Sequence, residues 1–93
     1  AVPLATVGQG RDALAVGGEM APLMDAGMAS DVGSGALLAH AGARAAGYNV
    51  RINLKEIPDE TFCTETSAAL EMLLDECDAL AAAVEDAVEA TLR

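Results

Sequence analysis

Aromatic residues are almost missing from this 93-residue chain, which has no tryptophan, one tyrosine (Tyr48) and one phenylalanine (Phe62). Lysine is equally scarce, since Lys55 stands alone, and the formal net charge is −10. Proteins that bind single-stranded nucleic acid stack bases on aromatic rings and hold phosphates with basic side chains. We therefore expect no binding to nucleic acid or to an anionic membrane surface.

Metal ligands and long apolar runs are also few. His40, Cys63 and Cys77 are too few for a four-ligand zinc site, so we expect no metal. The two cysteines lie on one predicted helix and are about 21 Å apart, which excludes a disulfide between them. Two unpaired thiols favour a reducing, cytoplasmic location; the alternative is a disulfide to another chain. The longest apolar run, residues 79–84, is far too short to span a membrane.

The acidic residues are concentrated towards the end of the chain. Residues 59–93 carry ten acidic and one basic side chain, whereas residues 1–58 carry five and four. This composition fits a protein from a salt-loving organism, although one acidic helix gives the same total. Because the chain opens at Ala1 instead of Met, we expect a processed, truncated or engineered piece. A length of 93 residues predicts one small domain at most.

Hydrophobic periodicity predicts three helical segments, residues 2–28, 30–57 and 59–92. Glycines weaken the first, and Pro22 should kink or divide it. The third follows a start signal at Pro58 and Asp59 and has acidic residues mostly on its solvated side. Its apolar side is predicted to consist of Phe62, Thr66, Ala69, Leu70, Leu73, Cys77, Leu80, Val84, Ala87 and Val88.

The middle segment is apolar on two opposite sides. We expect it to start with Ser30 as its N-cap and Asp31 as a first-turn acid. The first apolar stripe comprises Val32, Ala36, Ala39, Ala43, Ala46, Val50, Leu54 and Ile57. The second stripe comprises Leu37, Leu38, Ala41, Ala45, Tyr48 and Ile52. A helix apolar on both sides is buried between neighbours, so we infer neighbours supplied by another subunit or by another part of the polypeptide.

Residues 48–55 also alternate between polar and apolar, as a half-buried strand would. Periodicity alone supports a helix and a strand equally well for these residues. The rest of the sequence offers no second convincing strand, and a lone strand would leave its backbone groups unpaired, which favours the helix.

Two narrow polar stripes run between the apolar sides of the middle segment. Asn49 and Asn53 form one; His40, Arg44 and Arg51 form the other. An asparagine amide suits the amide-like edge of a pterin ring, and an arginine holds a carboxylate with two hydrogen bonds. The structural alternative is that the asparagines bond across a helix interface and the arginines neutralise the acidic third segment.

A family resemblance bears on these alternatives. Residues 30–33 have the sequence Ser-Asp-Val-Gly and are followed by an alanine-rich helix. Residues 49–55 close this segment with the sequence Asn-Val-Arg-Ile-Asn-Leu-Lys. This pattern resembles the signature of the C-terminal half of the formiminotetrahydrofolate cyclodeaminase and methenyltetrahydrofolate cyclohydrolase family. The Asn-Val-x-Ile-Asn-Leu part is the specific part. The opening Val-Pro-Leu of residues 2–4 resembles the family more loosely.

The resemblance implies an all-α fold of about three antiparallel helices, completed by an oligomer partner or a separate N-terminal half. It also implies a tetrahydrofolate derivative as substrate, on which the reaction releases ammonia or adds water at a tetrahedral carbon. Asn49, Asn53, Arg44 and Arg51 are then the candidate substrate-binding residues. Asp31 and His40 are the candidates for acid or base catalysis, and no single role is assigned to them.

The family's glycine-rich N-terminal segment and upstream catalytic aspartate have no counterpart in this sequence. We therefore expect an incomplete fragment or a split subunit. The alternative from a different functional class is a non-catalytic helical module that only oligomerises or binds another protein.

Overall fold

The computed structural model describes residues 2–93, and that part of the chain is built from helices with no strand. Helix α1 spans Val2–Met20, a short 3-10 turn spans Ala21–Leu23, α2 spans Ala26–Leu54 and α3 spans Glu60–Leu92. The three helices pack side by side in a rod of 51 × 16 × 15 Å. The all-α prediction is confirmed, and residues 48–54 are helical, not extended.

The first interruption between helices lies near Pro22, as the sequence predicts, because proline has no amide hydrogen to donate to a helical hydrogen bond. The expected N-cap is wrong, however. Helix α2 begins at Ala26, and the Asp25 side chain accepts a hydrogen bond from the Met28 amide at 2.9 Å. Ser30 therefore lies inside the helix, because Asp25 satisfies the free amides one turn earlier.

The second connection is capped as the sequence predicts. Asp59 precedes α3, and its carboxylate accepts a hydrogen bond from the Phe62 amide at 3.0 Å. The Cys63 thiol, at the start of α3, lies 3.5 Å from the carbonyl oxygens of Leu54 and Ile57. These contacts close the end of α2 against the beginning of α3.

Small residues allow the helices to approach closely. A Cβ atom on Gly10 of α1 would lie 2.8 Å from the Ala43 Cβ of α2. On the other side of α2, Gly33 packs against Val88 and Gly47 packs against Leu74 of α3. Residue numbers rise on α2 as they fall on α1 and α3, so α2 is antiparallel to both of the other helices. Helices α1 and α3 run parallel, because Val7 lies beside Cys77 and Gly17 beside Val84.

The core is a single apolar cluster along the rod, and none of the buried side chains from Pro3 to Arg93 is polar or charged. Both predicted core sides are confirmed in outline. The first stripe of α2 and the predicted side of α3 face inwards, except for two residues near the connection between these helices: Ile57 lies beyond the end of α2, and both Ile57 and Phe62 are exposed. The sequence analysis missed Leu74 and Ala81 on α3. The buried residues are Val7, Leu14, Ala29, Ala36, Ala43, Ala46, Val50, Leu70, Leu74, Cys77, Ala81, Val84 and Val88.

The second apolar stripe of α2 is exposed within the chain. Leu38 is 75 % exposed, Tyr48 57 % and Ile52 60 %. Two helices cover only one side of α2, so the neighbours inferred from the sequence for its other side are not supplied by α1 or α3. Completion of the fold by a further chain stays a prediction.

None of the helices in residues 2–93 has the length and apolar character that crossing a bilayer requires.

Candidate functional site

A cluster of three polar side chains links the middle of α2 to the middle of α3. His40 Nε2 lies 2.7 Å from Asp78 Oδ1. Arg44, one turn further along α2, donates from Nη1 to Asp78 Oδ1 at 3.0 Å and Oδ2 at 3.1 Å. Residues at i and i+4 share one side of a helix, so both reach a single carboxylate.

The hydrogen bonds from His40 and Arg44 lower the pKa of Asp78. His40 is the main cause and Arg44 a further one, while partial burial acts in the opposite direction.

The cluster borders a polar groove of about 390 Å³ between α2 and α3. Arg51 lies at this groove, and its guanidinium is 6.0 Å from the centre of the Tyr48 ring. Within the part of the chain that the structure describes, Arg51 forms no ion pair, whereas Arg44 is held by Asp78. The residues lining the groove are Arg44, Arg51, Glu71, Leu74, Asp75 and Asp78.

The charges of this groove are unfavourable for an anion in the isolated chain. Two guanidinium groups face three carboxylates, so the lining carries a net charge of −1 at neutral pH. Arg51 would attract a bound carboxylate, whereas the carboxylates of Glu71 and Asp75 would repel it. Arg51 is thus the one lining cation whose charge is not already neutralised by a direct partner.

The asparagines lie on another side of α2. Asn53 lines an apolar pocket of about 160 Å³ where the start of α1, the end of α2 and the start of α3 meet. Asn49, one turn earlier, is exposed to solvent. The lining of the pocket consists of Pro3, Leu4, Val50, Asn53, Leu54, Ile57, Phe62 and Thr66. The amide of Asn53 and the hydroxyl of Thr66 are the only polar side-chain groups in that lining.

Asp31 lies on a third surface, at the opposite end of the rod. It is exposed and borders a mostly apolar groove of about 320 Å³ between α1 and α2. The other residues of this groove are apolar or glycine: Ala13, Val16, Gly17, Met20, Val32, Gly35 and Ala36. Asp31 is therefore a helix residue beside an apolar surface, and it contacts none of the other candidates.

The structure brings together only some of the predicted site residues. His40, Arg44 and Arg51 share the side of α2 that faces α3, whereas Asn53 and Asp31 lie at separate places. The sequence analysis missed Asp78, the residue on which His40 and Arg44 converge. The sequence does show two basic side chains at positions i and i+4 of α2 and many acidic residues on α3. That pattern predicts an ion pair between the two helices, but it does not specify which acidic residue takes part.

A second ion pair fixes α1 against α3. Arg11 donates from Nη1 to Glu76 Oε2 at 3.1 Å and from Nε to Asp12 Oδ1 at 3.1 Å. These bonds raise the pKa of Arg11, with the Glu76 bond as the largest cause. Arg11 is thus used for helix packing.

The ring of His40 is held by a single carboxylate. Asp78 binds one ring nitrogen of His40 and leaves Nδ1 without a hydrogen bond to any described residue, as in an acid or base whose ring is oriented by a carboxylate. In residues 2–93, no three His, Cys, Asp or Glu side chains converge on a point that could hold a metal ion.

Comparison with known proteins relates this arrangement to a family. The family model described as formiminotransferase-cyclodeaminase matches residues 1–72, more than three quarters of the chain, and ends within α3. No match was found among curated proteins or among solved structures. The matched region contains α2 with all the candidate residues named from the sequence, and it confirms the resemblance on which they were named. The chain belongs to the formiminotransferase-cyclodeaminase family.

Proposed function

We propose that this protein acts in one-carbon folate metabolism, as a cyclodeaminase or a methenyltetrahydrofolate cyclohydrolase, in an assembly completed by another subunit or by a separate N-terminal half. The observation that carries the proposal is the family match over residues 1–72, which includes the Asn-Val-Arg-Ile-Asn-Leu run on α2. The substrate is a tetrahydrofolate derivative. Free thiols on Cys63 and Cys77 support a cytoplasmic location.

Arg51 and Asn53 are the residues of the run best placed to contact folate. Arg51 has a guanidinium without an ion-pair partner among the described residues, and a bidentate bond to the glutamate tail would give it one. Asn53 presents an amide in an apolar pocket, where it would pair with the edge of a flat heterocycle. Arg44 lies about two turns before Arg51, and Asn49 about one turn before Asn53, on the same sides of the helix.

These two groups face opposite sides of α2, so one folate molecule would not contact both on the same copy of the helix. We therefore expect the complete site to form between chains, with each chain contributing one set. This arrangement also addresses the charge of the groove, because a second chain can cover Glu71 and Asp75 or bring a cation to them.

His40 is the preferred acid or base in this proposal, because Asp78 orients its ring and leaves Nδ1 for a proton. Both reactions pass through a tetrahedral carbon, and a proton must be given to the departing amine or taken from the attacking water. Asp31 is the second candidate, and it would act at the far end of the rod.

Titration calorimetry with 5-formyl-tetrahydrofolate, with light scattering in the same buffer, tests the proposal. We expect heat of binding from the assembled protein, and a loss of affinity in Arg51→Ala and in Asn53→Ala. Lys55→Ala is the matched control, because it removes a cation one turn beyond Arg51 that does not line the groove. Unchanged affinity in both test variants of the complete assembly would contradict the site assignment.

A second candidate function is a non-catalytic helical module that oligomerises or binds another protein. It is favoured by the bonding of His40 and Arg44 to Asp78, since these bonds account for both basic residues as parts of the helix interface. This candidate predicts association without folate binding. The same calorimetry and light scattering separate the two functions.

A further inference from the structure

All ion pairs between helices in residues 2–93 involve a carboxylate from the second half of α3. Glu76 binds Arg11 of α1, and Asp78 binds His40 and Arg44 of α2. Both carboxylates lie beyond the region that the family model matches. The second half of α3 therefore neutralises basic side chains of the helices that carry the family's sequence pattern.

Asp78 binds Arg44 as the carboxylate of a ligand would. Arg44 Nη1 donates to Asp78 Oδ1 at 3.0 Å and to Oδ2 at 3.1 Å. A ligand carboxylate that uses this donor must first displace Asp78. The Arg44 and Asp78 side chains are 43 % and 46 % exposed, so a ligand reaches the pair without separation of α2 from α3.

Arg51 is the second cation of the same groove. It follows Arg44 by seven residues, which is about two turns and about 10.5 Å along the helix. The glutamate tail of a folate carries two carboxylates, and one guanidinium holds one of them in a bidentate bond. Among the residues that line the groove, Arg44 is the only other cation, so it is the partner available for the second carboxylate.

From these contacts we infer that Asp78 competes with the ligand for Arg44: it binds this arginine in the free protein and is displaced by the second carboxylate of the folate tail. The inference rests on the proposed function, because it concerns the ligand of that site. Asp78 then contributes to specificity. A ligand with one carboxylate needs only Arg51 and gains nothing from displacement of Asp78, whereas a ligand with two carboxylates has to compete with it.

Removal of the competing charge should strengthen binding. An exposed ion pair is favoured over its separated form by about fivefold at most. The apparent Kd rises as the fraction of protein with a free Arg44 falls. Asp78→Asn keeps the size of the side chain and removes its charge. It should therefore lower the apparent Kd for 5-formyl-tetrahydrofolate by about three- to fivefold.

Titration calorimetry on the complete assembly measures this change. The buffer contains about 0.15 M potassium chloride, which screens charges beyond about 8 Å. Asp75→Asn is the matched control, since Asp75 lines the same groove and forms no ion pair among the described residues. It removes the same charge without freeing a cation, so the Kd should change by less than about twofold.

Two further measurements assign the gain to Arg44 and to the carboxylates of the ligand. The double variant Arg44→Gln with Asp78→Asn should bind no more tightly than Arg44→Gln alone. A derivative of 5-formyl-tetrahydrofolate in which both tail carboxylates are amides should bind Asp78→Asn and the wild type equally. Asp78→Ala should show the same gain as Asp78→Asn for the free acid, and circular dichroism checks that each variant keeps its helices.

If the wild type binds and Asp78→Asn binds with equal or lower affinity, the inference is wrong and the proposed function stands. A gain that persists without Arg44, or with the amide ligand, also overturns the inference, because the gain then does not arise from competition for this arginine. If neither the wild type nor any Asp78 variant binds the folate, both the proposed function and the inference fail.

Discussion

His40 and Asp78 are in direct contact across the interface of α2 and α3, with Nε2 of the ring 2.7 Å from Oδ1 of the carboxylate. The same carboxylate accepts both hydrogen bonds from Arg44. Asp78 therefore holds two successive turns of α2. Below it, Leu74 packs against Gly47 in the apolar contact between the same helices. The polar cluster thus adds a specific register to an interface whose packing is otherwise made of small and aliphatic residues.

Replacing Asp78 with asparagine should lower stability by less than about 1 kcal/mol at neutral pH, because the cluster lies at the surface and its side chain is 46 % exposed. The sign of the pH dependence follows from its lowered pKa. A carboxyl group with a depressed folded-state pKa stabilises the fold above its unfolded pKa of about 3.9 and loses that effect as the pH falls through the folded value. The difference between the wild type and Asp78→Asn should therefore shrink below about pH 4.

Urea unfolding at a series of pH values measures this difference. Asp75→Asn is the control, because Asp75 lines the same groove without an ion pair among the described residues. A gap that stays constant down to pH 2, or an equal gap for Asp75→Asn, would mean that the bonds to Asp78 do not stabilise the fold.

Two glycines of α1 should respond to alanine in opposite directions. At Gly8 a new Cβ meets nothing within 4 Å, so Gly8→Ala should stabilise the helix by up to about 1 kcal/mol through its backbone preference. At Gly10 the new Cβ would lie 2.8 Å from Ala43 Cβ and 3.2 Å from the Ala39 carbonyl oxygen. Forcing α1 and α2 apart should cost about 1–3 kcal/mol and outweigh the preference.

Thermal unfolding of the two variants, followed by circular dichroism, checks this prediction. If Gly10→Ala were as stable as Gly8→Ala, the close approach of the two helices in the structure would not exist in solution.

Much of the fold follows from local sequence patterns. Residues such as Leu70, Cys77 and Val84 recur at helical spacing, and a period of 3.6 residues places them on one side without knowledge of any neighbour. The start of α2 was missed because Asp25 and Ser30 are both good capping residues. Which of these two residues caps α2 depends on where the preceding helix ends near Pro22. The end of that helix depends in turn on the residues before and after the turn.

The candidate site was less predictable because its key contacts join distant residues. The polar stripe of His40 and Arg44 was visible on α2, but Asp78 is 34 to 38 residues away and is one of ten acidic residues after residue 58. Which acid meets the stripe depends on the register of two packed helices. The packing of Gly47 against Leu74 contributes to that register, and neither residue carries a functional signal.

The two cysteines should differ sharply in reactivity. Cys77 is fully buried, and burial is the main cause that raises the pKa of its thiol, so little reactive thiolate is present. Cys63 is only partly buried, near the turn between α2 and α3. Labelling with iodoacetamide, followed by mass spectrometry of the peptides, should modify Cys63 in the native protein and Cys77 only in urea.

Cys63→Ser serves as the control, because it should abolish native labelling while leaving one reactive thiol in urea. Labelling of both cysteines at similar rates without denaturant would show that α1 separates readily from α3, since the Cys77 sulfur lies beside the Val7 carbonyl oxygen.

Salt should stabilise this chain. Fifteen acidic and five basic side chains give a net charge of −10, and the exposed side of α3 carries much of the excess. The repulsion between exposed charges is screened over about 10 Å at 0.1 M salt and about 3 Å at 1 M. The midpoint of thermal unfolding should therefore rise from dilute buffer to 1 M potassium chloride. The same rise is expected if the acidic composition reflects a salt-loving organism.

The double variant Glu85→Gln with Asp86→Asn should unfold at a higher temperature in dilute buffer and gain less from salt, because two neighbouring exposed charges are removed. Equal gains in both proteins would assign the effect to salt acting on the apolar core, which the two substitutions do not change.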